Sequence, residues 1–336
     1  MQQVRTTRLE GLDAVKGLAI VGVVLIHAAP VPWRDHPSYS AHVVGGLART
    51  AVPCFLAITG LLVAWKASSR DRLLRNLLTF TRLHIVYGTF YALAGFALAS
   101  APEVPTPKRL LLYYGEASYP GQYYFVLLIQ TFAVAAMLPR RVGWERARWV
   151  VAGSVGAGLG LVVLAHAEAW QLASTLPRVV YRIVTTPYGI WLWFFYFALG
   201  ARMGAQLRDG APPRAPLAAV LGAAGLVVAT LGWPAIPDWQ SPTIQPYARV
   251  SVYAGSALLI LALPRIATLH APAWLAELGR DSFGIFVLNP AVLAATSAAF
   301  GAPTSIGDSL LRVCATLPIC IGGTRLLRRS ARWALP

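Results

Sequence analysis

Charge is scarce in this sequence: Asp, Glu, Lys and Arg make up 12% of its 336 residues, whereas 57% are hydrophobic. A water-soluble domain is ordinarily about one quarter charged. At half that fraction the chain lacks the polar surface a soluble fold of this length needs, and its mean hydropathy is +0.57. Acidic groups are scarcer still, 13 against 29 basic, and none is read well inside an apolar stretch, where a proton-coupled transporter would usually place one. Cysteine is nearly absent. Cys54, Cys314 and Cys320 all lie in apolar stretches, which argues against a disulfide framework and for small core residues. There is no HExxH and no Cys cluster, so no metal site is expected. A phosphate-cradling glycine loop and a GxSxG elbow are missing too, as is any internal repeat.

What remains is a succession of long apolar runs, the mark of a polytopic membrane protein. We read ten spans, at about 14–33, 43–65, 78–100, 121–138, 149–166, 187–204, 215–233, 247–264, 281–300 and 306–324. The expected fold is an all-α membrane bundle, residues 1–336 forming one domain. Met1 to Glu10 is polar, unlike a secretory leader. The net charge of +16 invites a nucleic-acid partner, but its position argues against one. Loops on one side carry Lys66, Arg70, Arg72 and Arg75, then Arg140, Arg141, Arg146 and Arg148, and finally Arg325, Arg328, Arg329 and Arg332. That side also holds Arg5, Arg8, Arg202, Arg208, Arg214, Arg265 and Arg280; the other has only Arg34, Lys108, Arg109, Arg178, Arg182 and Arg249. The richer side belongs in the cytoplasm, which places both termini there and requires an even number of spans. Outer loops, Pro30 to Trp33, Pro102 to Pro107 and Trp233 to Pro246, are too short for a soluble domain.

Ionisable groups inside a bilayer cost roughly 2.5–3.5 kcal/mol each on insertion scales, so each needs a reason. Lys16 stands at the cytoplasmic end of the first span and His27 eleven residues later, roughly 16 Å deeper at about 1.5 Å per residue. The second span runs back, so Arg49 near its start lies at a depth similar to His27. Arg82 opens the third span at the cytoplasmic face. The cations thus form two layers, Lys16 with Arg82 and His27 with Arg49. Plainer readings exist: Lys16 and Arg82 as snorkelling anchors, Arg49 as an outer-leaflet anchor, His27 as a hydrogen-bonded core residue. His36, His42, His84, His166 and His270 are read at loops or span ends, without a role.

The order of short motifs then resembles the acyltransferase type 3 family of membrane acyltransferases. Arg8 through Ala19, continuing to His27, is similar to the family's opening, in which a basic residue in an LDxxRGxA context precedes a histidine by eleven. Arg49 to Gly60 resembles its R-x-x-VP-x-F-x-x-x-SG stretch, and Arg82 to Tyr87 the basic start of its third helix. Gln122 to Leu127, Phe195 to Gly200 and Ser282 to Pro290 resemble three later blocks in the expected order. Three departures stand out. Thr59 replaces a serine and keeps the hydroxyl, Asn289 replaces a histidine and cannot shuttle protons, and Val86 stands where a proline is usual.

The resemblance implies transfer of an acyl group, often acetyl from acetyl-CoA, to a hydroxyl of an extracytoplasmic glycan, a lipid-linked sugar or a small molecule. It implies His27 as the catalytic base and Lys16 and Arg82 as contacts to coenzyme A phosphates. Arg49 would stabilise the oxyanion, and Gln122, Tyr124 and Asn289 would meet the acceptor; belt aromatics are the plainer reading of the first two. Gly60 would permit close helix approach. A transient acyl-histidine is an alternative route. The expected partners are membrane lipids, acyl-CoA and the acceptor, with a further copy of the chain a candidate, in a bacterial cytoplasmic membrane. A glycan transporter or flippase, or a silent scaffold in glycan assembly, are the rival functions.

Overall fold

The computed structural model describes residues 8–28, 39–98, 121–138, 150–158, 160, 189–231, 247, 249–301, 303–331 and 335–336. They build α1 (Glu10–Ala28), α2 (Tyr39–Arg49), α3 (Ala51–Trp65), α4 (Arg70–Leu98) and α5 (Tyr123–Met137). Then follow α6 (Ile190–Arg208), α7 (Ala215–Leu231), α8 (Val250–Ile266), α9 (Ala273–Phe300) and α10 (Ile306–Ser330). Residues 150–158 are also helical, and no strand occurs among the described residues. Of the segment expected at 149–166, residues 149, 159 and 161–166 lie outside them. So do the three outer loops named above, His36 and His166, and the loop cations Arg5, Arg34, Lys108, Arg109, Arg140, Arg141, Arg146, Arg148, Arg178, Arg182 and Arg332.

Among the described residues four stretches are long and apolar enough to cross a membrane: Glu10–Ala28, Val44–Trp65, Ala273–Phe300 and Ile306–Ser330. Tyr123–Met137, Ala215–Leu231 and Val250–Ile266 are shorter apolar helices. The protein is an integral membrane protein whose described residues build helices and no strand. Apolar side chains gain little by leaving lipid for one another, so close backbone approach has to hold such helices together. The α3–α6 contact does this with glycine. Gly200 and Gly204, four residues apart, press on Ala57 O and Leu61 O, and Gly60 presses on Phe197 O; a Cβ at any of the three would strike those carbonyls. This is the close approach expected of Gly60. In a Gly200→Leu protein the two backbones must separate. Such overpacking costs about 1–3 kcal/mol, so we expect a lowered Tm and a broadened gel-filtration peak in detergent.

Helix ends are closed by specific partners. Arg208 Nη1 donates to Ala64 O at 2.6 Å at the end of α3. Arg312 Nη1 and Nη2 donate to Ser297 Oγ at 3.0 Å and Gly301 O at 2.5 Å beyond the end of α9. Ser305 and Asp308 form a reciprocal capping box at the start of α10.

Several boundaries differ from the hydropathy reading, each for a local reason. The stretch over 43–65 is broken at Thr50, because Pro53 has no N–H to return to Arg49 O; Thr50 Oγ1 instead donates to Leu47 O at 2.7 Å. α4 begins at Arg70, with Arg72 N donating to Ser69 Oγ at 3.3 Å, so Arg82 stands three turns inside the helix rather than at its start. His84 is likewise mid-helix and buried, its ring 6.1 Å from Phe125, not at a span end. α9 begins at Ala273, eight residues before the expected start, which puts buried Asp281 two turns inside. Charged residues within the first turns, Arg70 to Arg75 of α4 and Glu277 to Asp281 of α9, interrupt the apolar run that hydropathy registers. Asp281 is ion-paired to Arg328 at 2.5 Å and to Arg325 at 3.6 Å; it ties α9 to α10.

Candidate active site

The break at Thr50 ends α2 on Arg49, and α1 ends one residue beyond His27. Both side chains line one cavity of about 120 Å³. Its remaining wall comes from Val23 and Ile26 of α1, Val52 of α3, Phe286 of α9, and Gly121, Tyr123 and Tyr247. Among these lining residues there is no carboxylate.

Arg49 is held by aromatics. Its Cζ lies 5.9 Å from the centroid of the Tyr247 ring, within cation–π range. Tyr123 donates its hydroxyl to the Tyr247 hydroxyl at 3.2 Å. Behind them Trp193, fully buried on α6, packs 4.8 Å from Tyr247. Arg249, preceding α8, is near enough for the charge of Arg49 to be felt at it. The result is a small, electropositive cavity with rigid aromatic walls.

Gly121 closes the cavity on the His27 side. Its φ of +90° is one that side-chain-bearing residues rarely adopt. A Cβ there would stand 3.1 Å from the Phe286 ring and 3.6 Å from His27 Nε2. The absent side chain therefore leaves open the space in front of that ring nitrogen.

The other expected site residues are placed differently. Gln122 is fully buried and Tyr124 is buried with its ring edge-on to Phe286 at 5.3 Å; neither lines the cavity. Tyr123, between them, does. Successive helix residues point about 100° apart, so the aromatic motif located the helix start while missing the facing residue by one. Asn289 is fully buried, one turn beyond Phe286. Pro290 has no N–H to offer Phe286 O, and Asn289 Nδ2 takes that carbonyl at 2.6 Å and Ile285 O at 3.2 Å. Next to it Tyr91 enters the α9 ladder: Ala291 N donates to its hydroxyl at 3.3 Å, and that hydroxyl donates to Val287 O at 2.6 Å. Asn289 thus satisfies the proline break, and its Oδ1 has no partner among the described residues.

Lys16 lies toward the far end of α1 from His27 and pairs with buried Asp13 at 2.5 Å; Arg8 meets the same carboxylate at 2.7 Å. Lys66, just past α3, shares this end. Burial, and then the charges of Arg72, Lys16 and Arg8, hold its ammonium below the ordinary lysine range. A basic cluster therefore stands at the opposite end of α1 from the cavity. Arg82 is exposed on α4 and is not part of the cavity wall. Tyr123, Tyr247, Gly121 and Arg249 had not been singled out from sequence. Only the proximity of Gly121 and Tyr123 to the Gln122 motif could have drawn attention to two of them.

The chain is thus an apolar helical bundle in which a histidine and an arginine line one small cavity. The sequence model of an acyltransferase domain matches residues 9–325, nearly the whole chain, and the protein belongs to the acyltransferase type 3 family. Searches of curated proteins and of solved structures returned no match.

Proposed function

We propose that the protein moves an acetyl group from cytoplasmic acetyl-CoA to a hydroxyl of an extracytoplasmic or lipid-linked glycan, or of a small hydroxylated molecule. The observation that carries this is the shared cavity of His27 and Arg49, in a chain whose family transfers acyl groups. The small volume of about 120 Å³ supports a short acyl group.

In this reading His27 takes the proton of the acceptor hydroxyl while the oxygen attacks the thioester carbonyl carbon. The C=O electrons move to oxygen, and the Arg49 guanidinium stabilises the oxyanion. Collapse breaks the C–S bond, and His27 returns its proton to the leaving thiolate. The Tyr123 and Tyr247 hydroxyls hold the acceptor oxygen or the carbonyl in register. An acyl-histidine would divide the same transfer into two steps.

The donor's phosphates belong at the basic end of α1, about 16 Å from His27 by helix rise, where Lys16, Lys66 and Arg72 gather. This end is taken as cytoplasmic, with both termini inside and ten spans in a bacterial cytoplasmic membrane. Arg82 extends the same donor surface along α4.

The reaction is tested with purified protein, radiolabelled acetyl-CoA and a panel of sugar, polyprenyl-linked sugar and small hydroxylated acceptors. Labelled product is expected with at least one of them; transport of an acceptor without any acetyl transfer would overturn the proposal. An Arg82→Ala protein is expected to raise KM for acetyl-CoA about tenfold with kcat little changed, the mark of a lost binding contact of 1–2 kcal/mol. An unchanged KM would make Arg82 a helix anchor only.

A further inference from the structure

A second and larger cavity, about 640 Å³, lies on the opposite side of the α2–α3 break from the His27 cavity, between α1, α2, α3, α7 and α8. Its size falls in the range of small-ligand sites, and its wall is apolar almost throughout. Exposed Leu18, Leu47, Leu226 and Leu269 line it, so it is an open groove on the bundle surface rather than an interior void.

The two ends of the groove are chemically different. One lies where α1 begins: Gly11 is pressed against Ile266 O at the end of α8, and Ile266 and Arg265 line the groove there. The other lies near Gly22, where a Cβ would stand 3.2 Å from Ala48 O and 3.3 Å from Ala51 Cβ. Along α1 the groove runs from Val15 to Leu25, about 15 Å at the helical rise. That is half of a hydrocarbon core of about 30 Å, the depth of one leaflet.

Arg265, half-buried in the last turn of α8, is the charged residue among the described residues of the groove wall. Its Nε is buried with no hydrogen-bond partner among the described residues. Among the described residues no Asp or Glu lines the groove, so none of them would receive a headgroup ammonium. A long apolar channel of one-leaflet depth, closed at one end by a guanidinium and lacking an acid, is complementary to a single acyl chain below an anionic phosphate.

We infer that this groove binds one anionic phospholipid from the leaflet at the Arg265 end, with a chain along α1 and the phosphate on Arg265. The bound chain fills the wall opposite Thr50 and Ala51, residues that directly follow Arg49, and so supports the α2–α3 break from the lipid side.

The test is native mass spectrometry of the full chain in detergent, titrated with phosphatidylglycerol and with phosphatidylcholine of identical chains. One cationic residue near a membrane surface is worth about 1 kcal/mol toward anionic lipid, so wild-type protein is expected to retain phosphatidylglycerol about fivefold better. Arg265→Gln should bring the ratio close to one. Ala219→Trp, on an exposed groove-lining position of α7, should remove retention of both lipids, with Leu226→Trp as a second plug should the first fail to fold. Equal retention of the two lipids by wild-type protein, an unchanged ratio in Arg265→Gln, or full retention by a folded plugged variant would each overturn the inference.

Discussion

A His27→Ala protein is expected to fold and extract normally and to lose acetyl transfer by roughly 10²–10⁴-fold, the usual contribution of a positioned general base. The loss should fall on kcat, because the proton is taken only as the acceptor attacks. Folding should survive, since His27 lines a cavity instead of filling the core. His27→Gln separates chemistry from shape: glutamine still hydrogen-bonds but accepts no proton near neutrality, so this variant should be as inactive as alanine. Transfer at the wild-type rate by either protein would end the mechanism. Intact-mass analysis of wild-type protein with acetyl-CoA and no acceptor decides the route, because an acetyl adduct on the α1 peptide appears only if the histidine is acylated.

The second large effect is expected at Arg49. Arg49→Ala removes the positive charge opposite the developing oxyanion, and loss of one such group typically costs about 10²–10³-fold in kcat. Arg49→Lys keeps the charge but gives up the planar fork and its seat on the Tyr247 ring, so it should recover only part of the rate. A comparable fall in thermal stability for both variants, with activity per folded molecule unchanged, would assign Arg49 to packing. Tyr247→Phe is the useful control, because it keeps the ring beneath the guanidinium while removing the hydroxyl that meets Tyr123.

The sequence was a good guide to which segments are helical and a poorer one to where they begin. Hydropathy located the apolar portions of α1, α5, α7, α8 and α10 closely. It placed the starts of α4 and α9 about eight residues late, since Arg70 to Arg75 and Glu277 to Asp281 are charged and helical at once. Asp281 was consequently read at a span edge; it sits two turns inside α9, neutralised by two arginines from α10.

At the cavity, the matching depth of His27 and Arg49 was legible because depth along a membrane helix follows from counting residues. Direction around the helix does not. Gln122 and Tyr124 flank the residue that faces the cavity, and Asn289 is occupied with the backbone of its own proline break. Arg249 had been counted as a loop cation, and Tyr247 stands isolated in sequence; neither carries a local signal.

Composition and the order of motifs thus determined by themselves that this is a membrane protein of the acyltransferase type 3 family, because scarcity of charge and residue spacing are properties of the chain alone. The tertiary structure decided which faces of α1, α2, α5 and α9 enclose one cavity, and that a second, apolar groove ends on Arg265. Those outcomes depend on helix rotation and on the approach of residues such as Gly200 and Ala57, distant in sequence and brought together only by packing.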